Sequence, residues 1–411
     1  MSISTSDPYA MALDAIDVSN PDLYQTDSWR PWFARLRKED PVHWSENSHF
    51  GGFWSITRFE DIVTVDKSHD DFSSEPAITI GDYGNDLPVR QFIAMDPPLH
   101  DIQRKAVQGV VAPRNLADLE TIIRSRVATM LDELPIGEPF NWVDRVSVNL
   151  TTQMLATIFD FPFEDRYKLP YWSDMATSLP EIAGGDGNND ERTRALTECL
   201  ETFTALWHQR KNNPPGTMDL ISMLATNPET AAMVDDPLEY LGNLILLIVG
   251  GNDTTRNSIT GGVVALNQNP EQFSLLKANP HLVNSMVPEI IRWQTPLMHM
   301  RRIATRDVVL GGKTIRKGDK VVMWYLSGNH DETAIDDPNT FNITRDNPRY
   351  HLSFGFGIHR CMGNRLGEMQ LRILWEEILK RFSDVEMVAE PQRIQSNFVR
   401  GYSDLSVVLD R

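Results

Sequence analysis

The chain has 411 residues, enough for a large core and, by length alone, for two or three domains of ordinary size. Its 39 basic and 57 acidic side chains leave a formal net charge of −18, which argues against general nucleic-acid binding. The two cysteines, Cys199 and Cys361, lie far apart and lack metal-type spacing, so no disulfide scaffold is expected and a reducing cytoplasm suits the chain.

Residues 1–20 lack the basic and apolar regions of a signal peptide, and no apolar run is long enough to span a bilayer. Residues 1–26 read as an irregular arm. Residues 29–38 have helical spacing, with Trp32, Phe33 and Leu36 on one side. Residues 41–44 and 52–57 read as strands around a turn, and 59–67 as a short helix. The stretch 73–98 has little period and several prolines and glycines. It also carries Ile78, Ile80, Leu87, Val89, Phe92 and Ile93, too apolar for a solvated linker, so a functional loop is expected. Residues 98–104 open a helix whose His100 and Arg104, four apart, share a face; a surface pair suits that spacing as well as two donors to a cofactor carboxylate.

Helices are expected at 116–134, 143–159, 164–177 and 191–211, with a polar, glycine-rich hinge at 184–190. Residues 237–267 read as one helix of unusual length, interrupted by Gly250-Gly251-Asn252-Asp253-Thr254-Thr255. Each glycine there costs about 1 kcal/mol against alanine. A local rule broken in mid-helix points to function: the small residues make room for a ligand, a threonine hydroxyl can contact it, and a carboxylate can relay protons. A kinked core helix with a self-satisfied threonine would read the same way. Glu289 and Arg292, three apart, can pair, while Pro288 implies either a helix start or a kink. Residues 296–300 should run extended, 307–310, 313–315 and 320–325 as strands with a Gly311-Gly312 turn, and 398–409 as a C-terminal hairpin. The whole reads as mainly α with smaller β-sheets.

The most informative stretch is Phe354-Gly355-Phe356-Gly357-Ile358-His359-Arg360-Cys361-Met362-Gly363, followed by an amphipathic helix over 364–382. Backbone N–H groups at a helix mouth favour a thiolate, and a thiolate is a natural ligand for haem iron; a small buried hydrophobe is the plainer reading of one cysteine. The pattern F-G-x-G-x-H-x-C-x-G resembles, without a mismatch, the haem-binding loop of the cytochrome P450 superfamily. The resemblance spans nearly the whole chain. It implies a single domain over 1–411, a triangular helical prism around a buried haem b, with Cys361 as axial thiolate and Phe354, Gly355 and Gly251 against the cofactor. It also implies that His100, Arg104, His359 and Arg302 hold the propionates, Arg301 being the adjacent alternative to Arg302. The pattern [A/G]-G-x-[D/E]-T falls on residues 250–254 and makes Thr254 the oxygen-contacting residue and Asp253 the proton relay. Glu289, Arg292 and Arg345 become a structural triad, and the 184–190 hinge a lid over the substrate channel.

Candidate substrate-lining residues are Ile80, Leu87, Phe92, Leu246, Val249, Gly250, Leu297, Met298 and Phe398, which suit a weakly polar hydrocarbon. Several stretches (residues 74–82, 92–98, 250–257 and 369–375) resemble the bacterial alkane terminal-hydroxylase branch, which also oxidises fatty acids at the ω-end. The expected activity is O2-dependent hydroxylation of medium-chain n-alkanes or related alcohols and fatty acids at or near the chain end. Terpenes or steroids are the alternative substrates; a peroxygenase or a haem sensor or carrier are the alternatives outside monooxygenation. No Rossmann fingerprint and no iron–sulfur cysteine set is present, so electrons must come from separate proteins, a [2Fe-2S] ferredoxin and its NAD(P)H-dependent reductase. A basic patch of Arg360 and Arg365, with Arg104, Lys105 and Arg372 near, would steer such an acidic partner. A cytoplasmic monomer is expected.

Overall fold

A computed structural model describes residues 7–82, 88–178, 188–214 and 216–411. Its helices are α1 (Asp22–Gln25), α2 (Arg30–Glu39), α3 (Phe59–Lys67), α4 (Leu99–Val107), α5 (Pro113–Asp132), α6 (Asn149–Phe159), α7 (Lys168–Thr177), α8 (Asn189–Arg210), α9 (Leu220–Thr226), α10 (Pro237–Gln268), α11 (Pro270–Ala278), α12 (Val283–Gln294), α13 (Tyr325–Gly328) and α14 (Asn364–Arg381).

The 32-residue α10 is the axle, in contact with α6, α7, α8, α11, α12 and α14. Its start is well defined: Asp236 accepts from the Glu239 N–H at 3.2 Å and Pro237 occupies the first turn, where its missing N–H costs nothing. Two glycine features let neighbours approach closely. A Cβ on Gly242 would fall on the Arg90 backbone, and one on Gly262 would lie 2.9 Å from Ile290 of α12. The first contact presses the 88–94 segment onto α10, where the Asn243 side chain accepts from the Phe92 N–H at 2.9 Å.

The main sheet has the order β1 (Val42–Ser45), β2 (Phe53–Ile56), β8 (Lys320–Met323), β5 (Met300–Ala304) and β3 (Phe72–Ser73). Only the β2–β8 pairing is parallel, with Trp54 opposite Val321. β6 (Val308–Leu310) and β7 (Lys313–Ile315) form the expected hairpin, and Gly311 and Gly312 supply the positive φ of its two-residue turn. The C-terminal expectation fails in its pairing. β12 (Ser406–Asp410) joins β4 (Phe140–Asn141) and β9 (Asp384–Met387), and β11 (Tyr402–Asp404) joins β10 (Gln392–Arg393). Residues 398–401 instead pack inward, with Val399 bridged to Leu297.

Three other expectations are refined. Residues 143–159 open as a π-helical stretch, Val143–Val148, before α6. Of the two readings of Pro288, the helix start is excluded: it lies inside α12, because the flanking Met286, Val287, Ile290 and Ile291 are all buried and their packing outweighs the lost hydrogen bond. The described part of the N-terminal arm is largely irregular and docked: Ile16, Val18, Leu23 and Tyr24 are buried in one cluster with Phe33, Met298 and Trp324.

The Glu289 carboxylate holds α12 to the segment before the cysteine loop. Arg292 donates to it twice, Nε to Oε2 at 2.7 Å and Nη2 to Oε1 at 2.8 Å, and Arg345 Nε donates to Oε2 at 3.1 Å. The Asn342 N–H adds a fourth donor at 2.9 Å, and Arg292 Nη1 is spent on the Asn329 and Pro338 carbonyls. Glu289 and Arg292 are fully buried. Glu289→Ala would strand that guanidinium without its charge partner, a loss of about 3–5 kcal/mol. Urea denaturation of the variant should show it as a lowered midpoint with little change in slope; an unchanged midpoint would refute the structural role.

Candidate functional site

The cysteine loop is shaped by backbone geometry. Gly355 and Gly357 have φ of +64° and +66°, the region that glycine alone enters without strain. A Cβ on Gly357 would lie 2.5 Å from the Asp66 carbonyl oxygen. The Cys361 N–H donates back to the Phe354 carbonyl at 2.7 Å, closing the loop just before α14. Cys361 opens into an internal cavity rather than to the core. Burial raises its thiol pKa, while the Gly363 and Asn364 N–H groups and the Arg104 and Arg360 guanidiniums act to lower it. Cys199 is different: it sits wholly buried among the apolar side chains of α8, and burial drives its thiol strongly upward.

The cavity encloses about 2020 Å³ of empty space, its mouth included. The cysteine loop and the first two turns of α14 line one side, and α10 lines the other from Ile245 to Ser258. Gly250 and Gly251 are both in the wall. A Cβ on Gly250 would meet nothing, whereas one on Gly251 would lie 2.7 Å from Leu155 of α6, so Gly251 serves helix packing as well as the ligand space. Thr254 is in the wall, its hydroxyl donating to the Gly250 carbonyl at 2.8 Å. Thr255 joins it there, a residue that the sequence pattern did not single out.

Asp253 is one position off the wall and fully buried. Its Oδ1 accepts from Asn252 Nδ2 at 3.0 Å and forms an ion pair with Arg256 Nη2 at 3.0 Å, and Arg256 also pairs with Asp174 of α7. The other oxygen, Oδ2, has no hydrogen-bond partner among the described residues. Burial raises the Asp253 pKa to about 6, with Arg256 opposing the shift and Asp174 adding to it.

The four cationic or imidazole groups expected to hold carboxylates gather at the cysteine end. The His100 and His359 rings lie 4.2 Å apart, centre to centre. His100 Nδ1 is bonded to Asp101 at 2.7 Å and His359 Nε2 to Ser74 at 2.8 Å, but His100 Nε2 and His359 Nδ1 are buried and unpaired. Burial lowers both histidine pKa values. Arg104 and Arg302 stand in the wall, Arg104 donating to the Arg360 carbonyl. Strand alternation on β5 separates Arg301 from Arg302: Arg302 lines the cavity, while Arg301 turns away to Asp82 and to the Thr79 and Gly81 carbonyls. Arg302 Nη2 donates to Asp66 Oδ1 at 2.8 Å. Asp66 is the residue that sequence reasoning missed. Its other oxygen accepts from Tyr325 Oη at 2.8 Å and from the Phe356 N–H at 2.7 Å, which ties α3, α13, β5 and the cysteine loop together. Within an ordinary amphipathic helix, nothing in the spelling sets this aspartate apart.

Of the apolar candidates, Phe92, Leu246, Val249, Leu297 and Phe398 line the cavity with Gly250. Ile80 and Met298 do not. Both are fully buried in the N-terminal cluster, where the irregular path before β5 turns Met298 to the core while Leu297 and Met300 line the cavity. Ile78 and Thr79 take the place expected of Ile80. Leu87 and most of the 184–190 hinge lie outside the described residues.

The family described as Cytochrome P450 matches residues 99–403. The solved structure of CYP153D17 from Sphingomonas sp. PAMC 26605 is 44% identical, covering 97% of this chain and 100% of its own, with a TM-score of 0.89. Linalool 8-monooxygenase of Pseudomonas putida is 35% identical over 96% of this chain and 98% of its own length. A methyl-branched lipid omega-hydroxylase of Mycobacterium bovis is 32% identical over 91% and 90%.

Gly357→Ala tests the loop geometry directly. A Cβ at positive φ and 2.5 Å from a backbone oxygen should cost about 1–3 kcal/mol and lower the thermal midpoint followed by circular dichroism. Retention of the wild-type midpoint would mean that the loop does not require this turn.

Proposed function

The chain belongs to the cytochrome P450 family, the haem-thiolate monooxygenases of hydrophobic substrates, and from that premise we propose that it hydroxylates medium-chain n-alkanes, or the related alcohols and fatty acids, at or near the chain end. The observation that carries this reading is the apolar part of the cavity wall. The histidine and arginine groups of His100, His359, Arg104 and Arg302 gather at the cysteine end, while Phe92, Leu246, Val249, Leu297 and Phe398 present hydrocarbon to the same space. Such a wall selects by burial, at about 25 cal/mol per Å². The branch resemblance of residues 74–82 and 250–257, and a lipid omega-hydroxylase among the relatives, support an acyclic chain oxidised at its end. The terpene relative supports a second reading, a branched acyclic substrate.

The residues fit a haem. Two buried imidazole nitrogens without partners, beside two arginines in the wall, make a donor set that carboxylates would satisfy. Cys361 opens into the same space, and a coordinated cation would supply the positive charge that its buried sulfur needs. When bound, haem-thiolate iron activates dioxygen and delivers one oxygen atom to a C–H bond, the other leaving as water. Around that chemistry this chain's residues have separate roles. Cys361 Sγ would ligate the iron, and His100, His359, Arg104 and Arg302 would hold the propionates. The apolar wall excludes water and positions the chain. Thr254 Oγ1 would face the reacting oxygen, and Asp253, one residue behind the wall, would hold a proton and help to relay it through water.

Redox partners are required, and a [2Fe-2S] ferredoxin with its reductase is the proposed supply, in a cytoplasmic, monomeric, single-domain protein. Of the basic residues expected to meet that partner, Arg360, Arg365 and the exposed Lys105 remain candidates. Arg372 is engaged by Glu120 and Glu376, and Arg104 belongs to the propionate set.

Product analysis with octane, octanol, a mid-chain fatty acid and linalool under a surrogate ferredoxin system tests the substrate class. Dominant terminal alcohol from octane is expected; inert octane with efficient linalool turnover would favour the second reading. Cys361→Ala should abolish the thiolate-type spectrum of the reduced carbon-monoxide complex. Thr254→Ala should uncouple NADH use from product and release peroxide. Because Asp253 is protonated below about 6, coupling that depends on its proton should fall as pH rises through that value, and Asp253→Asn should flatten the profile. An inflection that survives in the variant would remove Asp253 from the relay.

A further inference from the structure

Arg192 stands in the first turns of α8 and is almost fully buried, yet its side chain belongs to the cavity wall. The same wall includes Ala176 and Thr177 at the end of α7 and Leu220 of α9, two helices that pack on α8. The described wall contains three arginines and no aspartate or glutamate, in a protein of net charge −18. Arg104 and Arg302 stand with the cysteine loop. Arg192 does not: α8 packs on α7, α9 and α10, whereas Cys361 stands at the start of α14. The wall thus carries a cation on a different element from the reacting end, in a lining that also includes many hydrocarbon side chains.

We propose that the Arg192 guanidinium receives the carboxylate of a medium-chain fatty acid, so that the opposite, methyl end is the one presented beside Thr254 and Cys361. The inference rests on the aliphatic reading above and narrows it to a carboxylate-bearing substrate with ω-end oxidation. A guanidinium stays charged at every working pH and offers five N–H donors in a planar fork that matches a carboxylate. Five donors exceed what one bidentate partner uses, so an interaction with a neighbouring residue is compatible with ligand binding. Charge-assisted contacts of this kind gain strength in a cavity from which water is excluded. An alkane of equal length would lack this anchor and bind through the apolar wall alone.

The test is a titration of the holoenzyme with dodecanoate, dodecanol and dodecane, following the Soret shift on substrate binding. Arg192→Leu should raise the dissociation constant for dodecanoate about 10- to 100-fold, with dodecane and dodecanol unchanged. Arg192→Lys, which keeps the charge and loses the fork, should fall between. If the leucine variant does not accumulate with haem, Arg192→Gln and Arg192→Lys carry the same comparison. Equal weakening of dodecanoate and dodecane would make Arg192 a packing residue and overturn the proposal, as would an unchanged dodecanoate constant. Wild-type enzyme that binds dodecane but not dodecanoate overturns the carboxylate site alone; enzyme that binds none of the three overturns the aliphatic reading with it.

Discussion

The Asp66 carboxylate is the joint on which the cysteine end of the molecule depends. It accepts from Arg302, from Tyr325 and from the Phe356 N–H, so one buried charge fixes a strand, a helix and the loop that carries Cys361. Burial alone pushes its pKa up, and the donors around it act against that. A buried carboxylate is tolerable only when its lone pairs are used, and here the groups that use them are parts of the site. The direction of Arg302 follows from the pairing, and so does the path of the loop between Phe354 and Gly357.

Glu289 does comparable work one layer further out. Arg292, Arg345 and the Asn342 N–H converge on it. Both networks are saturated, which is what a rigid frame requires. The site itself is the reverse. His100 Nε2 and His359 Nδ1 are buried, close together and unpaired. Unsatisfied polar atoms are costly in a protein interior, and two of them side by side beside a cysteine that opens into a cavity make sense as the receiving end of an anionic cofactor.

α10 shows how a helix can serve stability and chemistry with the same residues. Gly242 and Gly262 admit neighbouring backbone and side chains; Gly250 leaves open space. The break in helix-forming sequence at 250–255 thus marks where the ligand side begins. One residue apart on that helix, Thr254 faces the cavity and Asp253 faces α7, because successive helical residues are turned by about 100°. The carboxylate is shielded behind the wall and the hydroxyl is exposed to the reaction space.

The sequence by itself pointed to the family, the cysteine loop, the Glu289–Arg292 pair and the long helix with its glycine break, since each is a local pattern, whereas Arg345 entered through the resemblance. It also located most of the longer helices, but not α1, α9, α11 or α13, nor the strands β3, β4, β9 and β10. Only tertiary structure decided that Arg302 and not Arg301 faces the cavity, that Ile80 and Met298 belong to the core, and that Asp66 braces the loop. Those outcomes depend on which side of an extended segment or helix meets a neighbour distant in the chain. Asp66 and Phe356, for instance, are 290 residues apart, and no spacing rule in the sequence spans that interval.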